Sequence, residues 1–454
     1  MKLEANIQEA AKLTSTLAIP DEEQTFNWRH CWYPVSFVQD LPPNRPYSFS
    51  LYDEPFVLFR NQEEKLVCLI DRCSHRAAKL SDGQIIDGKL ECLYHGWQFG
   101  SEGQCLHIPQ LAADVKIPVN ACVQSFTVVE RQGVIWVWPG EPETADIDRI
   151  PTADILNDPE FVSTDYMGDL PYDQTYLVEN FLDPAHVYIS HDRTEAGIYR
   201  ENAQPLEMEV IENSAKGMRG RYRGTSKPDQ PWQQLDFIAP NFVHYRFSFG
   251  KPGWSSGLAL YAIPLGQGRS RVFVRRYRNF LTQKVKQKPR WVEHLRQSKV
   301  LEEDLPQIVG QQAEIERLGQ SLKKVYLPLK TSDLLAIEYR KWLDKYGESL
   351  PFYEGYATSK RPTGSGECNQ KPASVDRLSR HTLMCSSCNR AYQVTNRLKQ
   401  GSLIVAIAIA ALAIVIDEPG SLKLVTVLAF LAAVAMSAVA QTVKTKFERS
   451  YERR

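Results

Sequence analysis

The chain has 454 residues, of which 43% are hydrophobic, 10% aromatic and 24% charged, the composition of an ordinary globular protein. Its 54 Lys and Arg residues balance 54 Asp and Glu residues. A formal net charge of zero argues against a nucleic-acid-binding protein, which usually carries a basic excess. Nine cysteines in unequal groups are too few for a disulfide scaffold. They predict a reducing compartment in which some thiols bind metal and others are free.

The first third of the chain predicts a β-rich domain. Residues 1–17 contain acidic and basic residues but no apolar core, so they are expected to be neither a secretory signal nor a good transit peptide. Apolar runs at 56–59, 66–70 and 134–138, separated by Gly, Asp and Asn, predict short strands. An acidic linker at 141–148 follows them.

Two Cys/His pairs lie within this β-rich region. Cys73 and His75 are followed, after sixteen residues, by Cys92 and His95. Four such ligands could bind Zn²⁺, but structural zinc sites prefer Cys paired with Cys and His with His along the sequence. One Cys and one His in each half is the pattern of a Rieske 2Fe–2S centre, where two Cys hold one iron and two His hold the other. We therefore predict a Rieske cluster, with zinc as the alternative.

A second metal site is predicted in the middle of the chain. Residues 173–189 are predicted to be helical, and strands return between 208 and 276. His186 and His191 would lie within about 140° of each other on a helix, so a small kink would bring both to one metal. With a carboxylate they would form the facial triad of non-haem Fe(II) oxygenases. Two histidines at this spacing are more often core or surface residues than metal ligands. The metal site is nevertheless favoured here, because a one-electron carrier in the same chain needs an electron acceptor.

The carboxylate must come from elsewhere in the chain. A long charged helix is predicted over Arg290–Leu322, and Pro306 is expected to kink or break it. Three consecutive acids on this helix, Glu302, Glu303 and Asp304, are candidates. The residue types alone do not choose among them, because acidic helix faces are usually just solvated.

A later Cys-x-x-Cys pair follows a predicted flexible linker over 358–374. Cys385 and Cys388 are either half of a metal site or a dithiol switch. A zinc site would need two further ligands, for which Cys368 and His381 are near enough in the sequence. The remaining thiols are interpreted as packing residues: Cys31, Cys68, Cys105 and Cys122.

Two uncharged apolar runs near the C-terminus predict a membrane hairpin. They cover 400–416 and 424–443, and Asp417–Gly420 forms a polar turn between them. A spanning helix needs about 20 apolar residues, so the first run is at the short limit and the second fits. Basic residues outside both runs place the two ends in the cytoplasm or its equivalent. The alternative is a pair of Ala-rich helices in a soluble core.

The chain resembles the Rieske non-haem iron oxygenases, and most of all the branch that contains pheophorbide a oxygenase and its chlorophyll-metabolism relatives. The resemblance covers nearly the whole chain. It rests on the two cluster motifs, the segment GQCLHIPQ at 103–110, the segment NFLDPAH at 180–186 with His191, and the late Cys pair followed by two apolar helices.

The resemblance implies roles for individual residues. The cluster ligands are the set Cys73, His75, Cys92 and His95. The iron ligands are the set His186, His191 and Asp304. Asp183 is the acid that bridges the two metal sites, although a helix N-cap would also suit it, and Asn180 lies near the iron. Cys385 and Cys388 become candidates for redox regulation by thioredoxin.

The resemblance also implies the fold. It is an α+β chain, with a Rieske β domain followed by a helix-grip-like catalytic domain and a C-terminal transmembrane helical hairpin. The predicted divisions are 1–26 (N-terminal segment), 27–145 (Rieske domain), 146–357 (catalytic mononuclear iron domain), 358–398 (linker with the Cys pair), 399–443 (two membrane helices) and 444–454 (basic tail).

The implied function is a monooxygenase that uses O2 on a chlorophyll-derived tetrapyrrole similar to pheophorbide a or chlorophyllide a. No nucleotide-binding Gly motif follows a strand, so electrons are expected from a separate ferredoxin or reductase. The family implies a head-to-tail homotrimer. The expected location is a thylakoid or plasma membrane of a cyanobacterium-like cell, or a chloroplast, with the catalytic domain on the cytoplasmic or stromal side. The alternatives are an oxygenase of another lipophilic or small substrate, and a non-catalytic membrane Rieske electron carrier.

Overall fold

The computed structural model describes residues 25–194, 197–226, 229–249, 252–361, 376–415 and 420–451. Nearly all of the predicted N-terminal segment, most of the predicted linker, Cys368 and most of the polar turn between the apolar runs lie outside these residues. The start of the predicted linker is a strand that pairs with the chain just before it, because Tyr353 and Glu354 lie opposite Lys360 and Ser359.

The first half of the fold consists of ten antiparallel strands in two sheets. The strands are β1 (Tyr33–Phe37), β2 (Tyr47–Leu51), β3 (Glu54–Arg60), β4 (Leu66–Ile70), β5 (Gln84–Ile86), β6 (Lys89–Glu91), β7 (Gln98–Phe99), β8 (Cys105–His107), β9 (Ser125–Arg131) and β10 (Val134–Trp138). A six-stranded sheet has the order β1-β10-β9-β4-β3-β2, and a four-stranded sheet has the order β5-β6-β7-β8. The predicted runs at 66–70 and 134–138 are β4 and β10, and the run at 56–59 lies within β3.

The second half is built on a seven-stranded antiparallel sheet. Its strands are β11 (Val162–Leu170), β12 (Leu206–Ser214), β13 (Gly217–Gly224), β14 (Gln233–Ile238), β15 (Phe242–Ser248), β16 (Ser255–Gly266) and β17 (Arg269–Arg278). The order is β11-β17-β16-β15-β14-β13-β12, which places the first strand beside the last. The short hairpin after this sheet consists of β18 (Tyr353–Glu354) and β19 (Ser359–Lys360).

Eight α-helices lie in the described residues. They are α1 (Gln174–Phe181), α2 (Val187–Ser190), α3 (Thr282–Lys286), α4 (Arg290–Leu318), α5 (Leu322–Val325), α6 (Leu334–Tyr346), α7 (Ser386–Val415) and α8 (Ser421–Glu448). The predicted helix over 173–189 is thus two helices, because the Asp-Pro step at Pro184 interrupts the backbone ladder. Of the predicted kink or break at Pro306, the break is wrong, because α4 runs through this residue, and the kink stays a prediction. The helix ends before Gly319, whose φ of 62° is the left-handed conformation of a helix end.

The six-stranded and seven-stranded sheets share one hydrophobic core. The rings of Phe37 and Phe273 lie 5.3 Å apart across the contact, and those of Trp136 and Tyr261 lie 5.4 Å apart. Buried Arg271 on β17 pairs with Asp169 and also donates to the backbone of β1 at 3.0 Å. The packing of the two sheets against each other explains why β10, which carries Trp136, is buried along its whole length. The predicted division at residues 145 and 146 separates two sheets that pack as one body, and the domain limits remain a prediction.

The helices α7 and α8 form an antiparallel hairpin. Both are long and apolar enough to cross a membrane, and only 11% of the apolar stretch of each is buried. The side chain of Ser437 donates to the carbonyl of Lys399 at 3.3 Å, which sets the level of one helix against the other. So much exposed apolar surface disfavours the alternative of two core helices.

Candidate metal centres

The two predicted cluster loops have the same backbone design. In each loop the cysteine N–H donates to the carbonyl five residues later, and the cysteine carbonyl accepts from the N–H four residues later. The distances are 2.8 and 2.9 Å around Cys73, and 2.9 and 2.8 Å around Cys92. The residue four positions later has positive φ in both loops, 57° at Ala77 and 76° at Gly96. Two short loops of the same shape therefore present their cysteines and histidines to a common space.

The cysteines and the histidines of these loops lie on different sides of that space. Cys73 and Cys92 are buried, and burial raises the pKa of Cys73 to about 11. His75 is exposed and its ring lies 4.5 Å from that of His95. Among the described residues, these four do not close into a group whose ligand atoms all lie within 4.8 Å of one another. A pair of thiols and a separate pair of imidazoles fit a cluster of two irons better than one zinc ion.

Gly96 offers a direct test of how tightly the second loop is built. With φ at +76°, a Cβ at this position would lie 2.8 Å from Cγ of Pro109, whereas a Cβ at Gly133, with φ at +71°, would meet nothing within 4 Å. Both Ala substitutions carry the left-handed backbone cost of about 1–2 kcal/mol, but only Gly96→Ala adds the clash. We expect Gly96→Ala to lose the visible cluster absorbance on heating at least about 3 °C below Gly133→Ala. Equal midpoints of thermal cluster loss in the two variants would show that the loop accommodates the added Cβ without cost.

The second group of predicted ligands is brought together around a short helix. His186 is the N-cap of α2 and His191 is its C-cap, so the two histidines flank a single helical turn. Their rings lie 5.4 Å apart. The Nε2 atoms of both point to Oδ2 of Asp304, at 3.6 Å from His186 and 3.3 Å from His191. All three ligand atoms lie within 4.8 Å of one another, which is close enough for a single metal ion.

The three consecutive acids of α4 point in three directions, because successive helix residues are about 100° apart. Asp304 faces the two histidines. Oε2 of Glu303 lies 3.0 Å from Nδ1 of His191, on the side of the ring away from Asp304. Glu302 is buried and pairs with Arg377 and Arg380. Only one of the three candidates therefore reaches the histidines as a ligand.

The site has the electrostatics of a cation-binding pocket. Burial by itself lowers the pKa of His186, but the carboxylates of Asp183 and Asp304 raise it to about 10. Burial likewise raises the pKa of Asp304, yet contacts with His186 and His191 hold it well below its usual range. Two carboxylates around partly buried imidazoles stabilise positive charge, which is the environment that a divalent metal requires.

Asp183 has two roles in the geometry. Its Oδ1 accepts the backbone N–H groups of Ala185 at 2.9 Å and of His186 at 3.4 Å, an Asx turn that leads into α2. Its Oδ2 lies 3.5 Å from Nδ1 of His186. Within the part of one chain that the structure describes, Asp183 makes no hydrogen bond to His75 or His95. Because His186 is the N-cap of α2, the N-cap alternative for Asp183 is wrong, and the role as a bridge between metal sites stays a prediction.

Asn180 borders the same group. Its amide Nδ2 lies 3.4 Å from Oδ2 of Asp304 and 3.5 Å from Nε2 of His186. An amide N–H donor at this distance orients a carboxylate and does not itself ligate a metal. The structure thus brings Asn180 next to the proposed ligands, as predicted, with its amide as a neighbour of the carboxylate.

Glu303 has a role that its sequence did not suggest. As an acceptor for the Nδ1 proton of His191, it fixes the tautomer that leaves Nε2 free for metal. Its other oxygen accepts from the Thr194 hydroxyl. We expect Glu303→Gln to lower the iron affinity about 10–100-fold, measured as iron retained after dialysis against a chelator. Glu314→Gln, an exposed position on the same helix, is the matched control, and equal iron retention in both variants would contradict this role.

A cavity of about 480 Å³ opens beside the three-residue group. Asn180, His186 and Asp304 line one side of it, and Tyr176 and Ile337 line other parts of the wall. Such a volume lies in the range of small-molecule sites. The sequence did not single out the buried ion pair of Glu179 and Arg340 beneath this wall, although Glu179 directly precedes the predicted motif.

Cys385 and Cys388 lie apart from both centres. Both are buried, and His381 lies beside them, as one of the sequence alternatives required. The other suggested partner, Cys368, lies outside the described residues. A second histidine, His294 from α4, completes a group of four, and nothing in its sequence neighbourhood pointed to it.

The comparisons with known proteins agree with this geometry. Residues 31–127 match the Rieske [2Fe-2S] domain family, and residues 237–321 match the pheophorbide a oxygenase family. The chain is 36% identical over 425 residues to protein TIC 55, chloroplastic, of Pisum sativum, covering 87% of this chain and 76% of that protein. It is 32% identical over 415 residues to pheophorbide a oxygenase, chloroplastic, of Arabidopsis thaliana, covering 84% and 75%.

The fold is also similar to that of a solved oxygenase. Dicamba monooxygenase bound to dicamba superimposes with a TM-score of 0.59 at 27% identity, covering 72% of this chain and 98% of that one. A Rieske domain followed by a catalytic domain of this shape defines a Rieske-type oxygenase.

The chain belongs to the pheophorbide a oxygenase branch of the Rieske non-haem iron oxygenases. It is accordingly an oxidoreductase that uses a Rieske 2Fe–2S cluster and a mononuclear non-haem iron, with O2 and with electrons from a ferredoxin or a reductase. The predicted family, fold class and cofactors are confirmed.

Proposed function

We propose that this chain is a membrane-anchored monooxygenase of a chlorophyll-derived tetrapyrrole, with Cys73, His75, Cys92 and His95 as cluster ligands and His186, His191 and Asp304 as iron ligands. One observation carries the proposal: His186, His191 and Asp304 converge on one point, and His186 and Asp304 line an open cavity. Three protein ligands leave coordination positions for O2 and substrate, which a structural site with four ligands does not.

Two acidic residues orient the histidine ligands of the proposed iron site. Glu303 holds the ring of His191, and Asp183 faces Nδ1 of His186, so both imidazoles keep their Nε2 atoms toward Asp304. When bound, the iron activates O2 with electrons that the cluster supplies. The cavity wall then orients the substrate.

Two observations support an amphipathic pigment as substrate. The chain is 32% identical to a pheophorbide a oxygenase over 84% of its length. Leu327 at the cavity mouth is 91% exposed and nearby Leu329 is 58% exposed, with the exposed Lys324 and Lys330 on the same segment. An apolar edge beside ammonium groups suits a flat macrocycle that carries a carboxylate.

Electron transfer is proposed to run between chains. Asp183 of a single chain contacts His186 and is 29% exposed, so its carboxylate is available to a cluster histidine of a neighbouring subunit. A head-to-tail homotrimer would supply that neighbour to every Asp183. A carboxylate that touches a ligand histidine of both sites would couple the sites in protonation and in electron transfer.

The location follows the same reasoning. The two most similar relatives described above are chloroplastic, and the exposed α7–α8 hairpin is long enough to span a bilayer. We propose an integral protein of a thylakoid or plasma membrane, or of a chloroplast membrane, with the catalytic domain on the stromal or cytoplasmic side. Regulation by thioredoxin stays a prediction, and the burial of both Cys385 and Cys388 means that thioredoxin would reach them only after a local opening.

The decisive experiment supplies detergent-solubilised protein with reduced ferredoxin and ¹⁸O2. Pheophorbide a, chlorophyllide a and protochlorophyllide a are offered separately, with dicamba as a small aromatic comparison. Label in one pigment, found by mass spectrometry, would establish the substrate class. No label in any pigment, with cluster and iron both present, would reject the tetrapyrrole.

Two other functions are separated by the same experiment. An oxygenase of another lipophilic or small substrate is motivated by the fold shared with dicamba monooxygenase, and label in dicamba alone would favour it. A non-catalytic electron carrier would contain the cluster and no mononuclear iron. The convergence of His186, His191 and Asp304 argues against the carrier.

A further inference from the structure

Four buried side chains from three segments meet at the base of the C-terminal hairpin. His294 lies in the first turns of α4, His381 in a short π-helix over Leu378–Thr382, Cys385 just before α7 and Cys388 in its first turn. Their relative exposures are 1%, 2%, 2% and 0%. One ligand atom from each lies within 4.8 Å of the other three.

The distances between these atoms are those of a tetrahedral metal site. Nδ1 of His294 lies 3.1 Å from Nε2 of His381, 3.4 Å from Sγ of Cys385 and 3.6 Å from Sγ of Cys388. Nε2 of His381 lies 3.3 Å from Sγ of Cys388. Tetrahedral bonds of about 2.0 Å to nitrogen and about 2.3 Å to sulfur place two nitrogens about 3.3 Å apart and a nitrogen and a sulfur about 3.5 Å apart.

The ring of His381 is held in place by two residues of β11 on the side away from the other three ligand atoms. Its Nδ1 donates to the carbonyl of Met167 on β11 at 2.5 Å, and its ring stacks on that of Tyr166 at 4.4 Å. The proton on Nδ1 leaves the lone pair of Nε2 directed at the other three atoms. A backbone carbonyl behind the ring is the usual outer partner of a metal-bound histidine.

Hydrogen bonds alone satisfy this cluster poorly. Nε2 of His381 is an acceptor, and the neighbouring thiols are weak donors. A thiolate is the form of cysteine that binds metal, and a cation in the middle would serve all four atoms at once.

From this geometry we infer that His294, His381, Cys385 and Cys388 form a structural Zn²⁺ site. Two thiolates and two imidazoles in a closed tetrahedron are zinc ligands, and no position is left open for a substrate. The inference is independent of the proposed oxygenase function, because it uses none of the residues of the cluster or of the iron site.

The site joins the catalytic body to the membrane hairpin. Among the residues that the structure describes, the hydrophobic cluster at this junction has three buried members, Cys385, Cys388 and Phe447, with Trp291 and Leu295 packed at its edge. So small a core is usually reinforced by a metal or a disulfide. The zinc would connect α4, which also carries Asp304, with the first turn of α7.

The test is the metal content of the full-length protein, purified anaerobically in detergent with the metals it acquires during expression. We expect about one zinc per chain, with two sulfurs at about 2.3 Å and two nitrogens at about 2.0 Å in zinc-edge X-ray absorption. In Cys388→Ser and in His294→Ala the zinc content should fall at least about tenfold while the visible spectrum of the Rieske cluster persists. Cys68→Ser, at a buried cysteine of β4 outside the cluster, is the matched control and should keep its zinc.

Four results would overturn the inference. Three of them are wild-type protein without zinc, a Cys385–Cys388 disulfide in the anaerobic protein, and iron in place of zinc at this site. If a variant does not fold, the absorption spectrum of the wild-type protein decides. A zinc shell of oxygen and nitrogen alone would place any bound zinc elsewhere and would also overturn it.

Discussion

Replacing His186 by Ala is expected to remove the mononuclear iron and to lower turnover by at least about 10²-fold, while the Rieske spectrum persists. The reason is geometric. Nε2 of His186 is one of the three atoms that meet around Oδ2 of Asp304, and the remaining two protein ligands bind Fe(II) too weakly to keep it. Iron analysis, the electron paramagnetic resonance signal of the reduced cluster and turnover with reduced ferredoxin measure the three effects separately.

His30→Ala is the matched control for this variant. His30 is an exposed histidine on the other half of the fold, with its ring 6.1 Å from that of Trp138. Its loss should change neither iron content nor turnover. Full turnover by His186→Ala would refute the proposed iron site, and electron delivery to a partner as the sole surviving activity would support the carrier.

The second large effect is expected from Asp183, where two substitutions separate two roles. Asp183→Asn keeps an oxygen that can accept from Ala185 but removes the negative charge beside His186. We expect turnover to fall at least about 10²-fold with the cluster and the thermal stability unchanged, because the electron route is lost and the turn before α2 is kept. Asp183→Ala should lose the same activity and in addition about 1 kcal/mol of stability, because the N–H groups of Ala185 and His186 lose their acceptor.

Rapid mixing with reduced ferredoxin measures the step directly. In Asp183→Asn the cluster should still be reduced at the normal rate, but its reoxidation in the presence of O2 and substrate should be slow. Normal reoxidation would assign Asp183 to the turn before α2 alone. Slow reoxidation together with a loss of iron would assign it to holding His186.

The sequence predicted best those features that short-range chemistry controls. The runs 66–70 and 134–138 became β4 and β10 because they are apolar and bounded by turn residues. The cluster motif was readable because each cysteine and its histidine lie in one short loop. The facial triad required more, since the types of three consecutive acids do not tell which one faces the histidines, and the resemblance to the family singled out Asp304.

What the sequence did not reveal depends on long-range packing. His294 is 91 residues before Cys385 and lies in a charged helix with no motif around it. Only the packing of α4 against the start of α7 places it beside the thiols. The same holds for Glu303, whose function depends on the position of a ring 112 residues earlier in the chain. Such partners are set by topology, which a single sequence does not display.

The one-turn helix between His186 and His191 has a practical consequence. The Rieske ligands lie in loops that are braced by repeated backbone hydrogen bonds, whereas two of the proposed iron ligands flank only four helical residues. Segments held by so few bonds open at lower free energy than the sheets around them. Iron should therefore leave during purification while the brown colour of the cluster remains. A preparation with full cluster absorbance and no activity would then be restored by adding a ferrous salt, without refolding. The cluster absorbance therefore does not measure the fraction of active molecules.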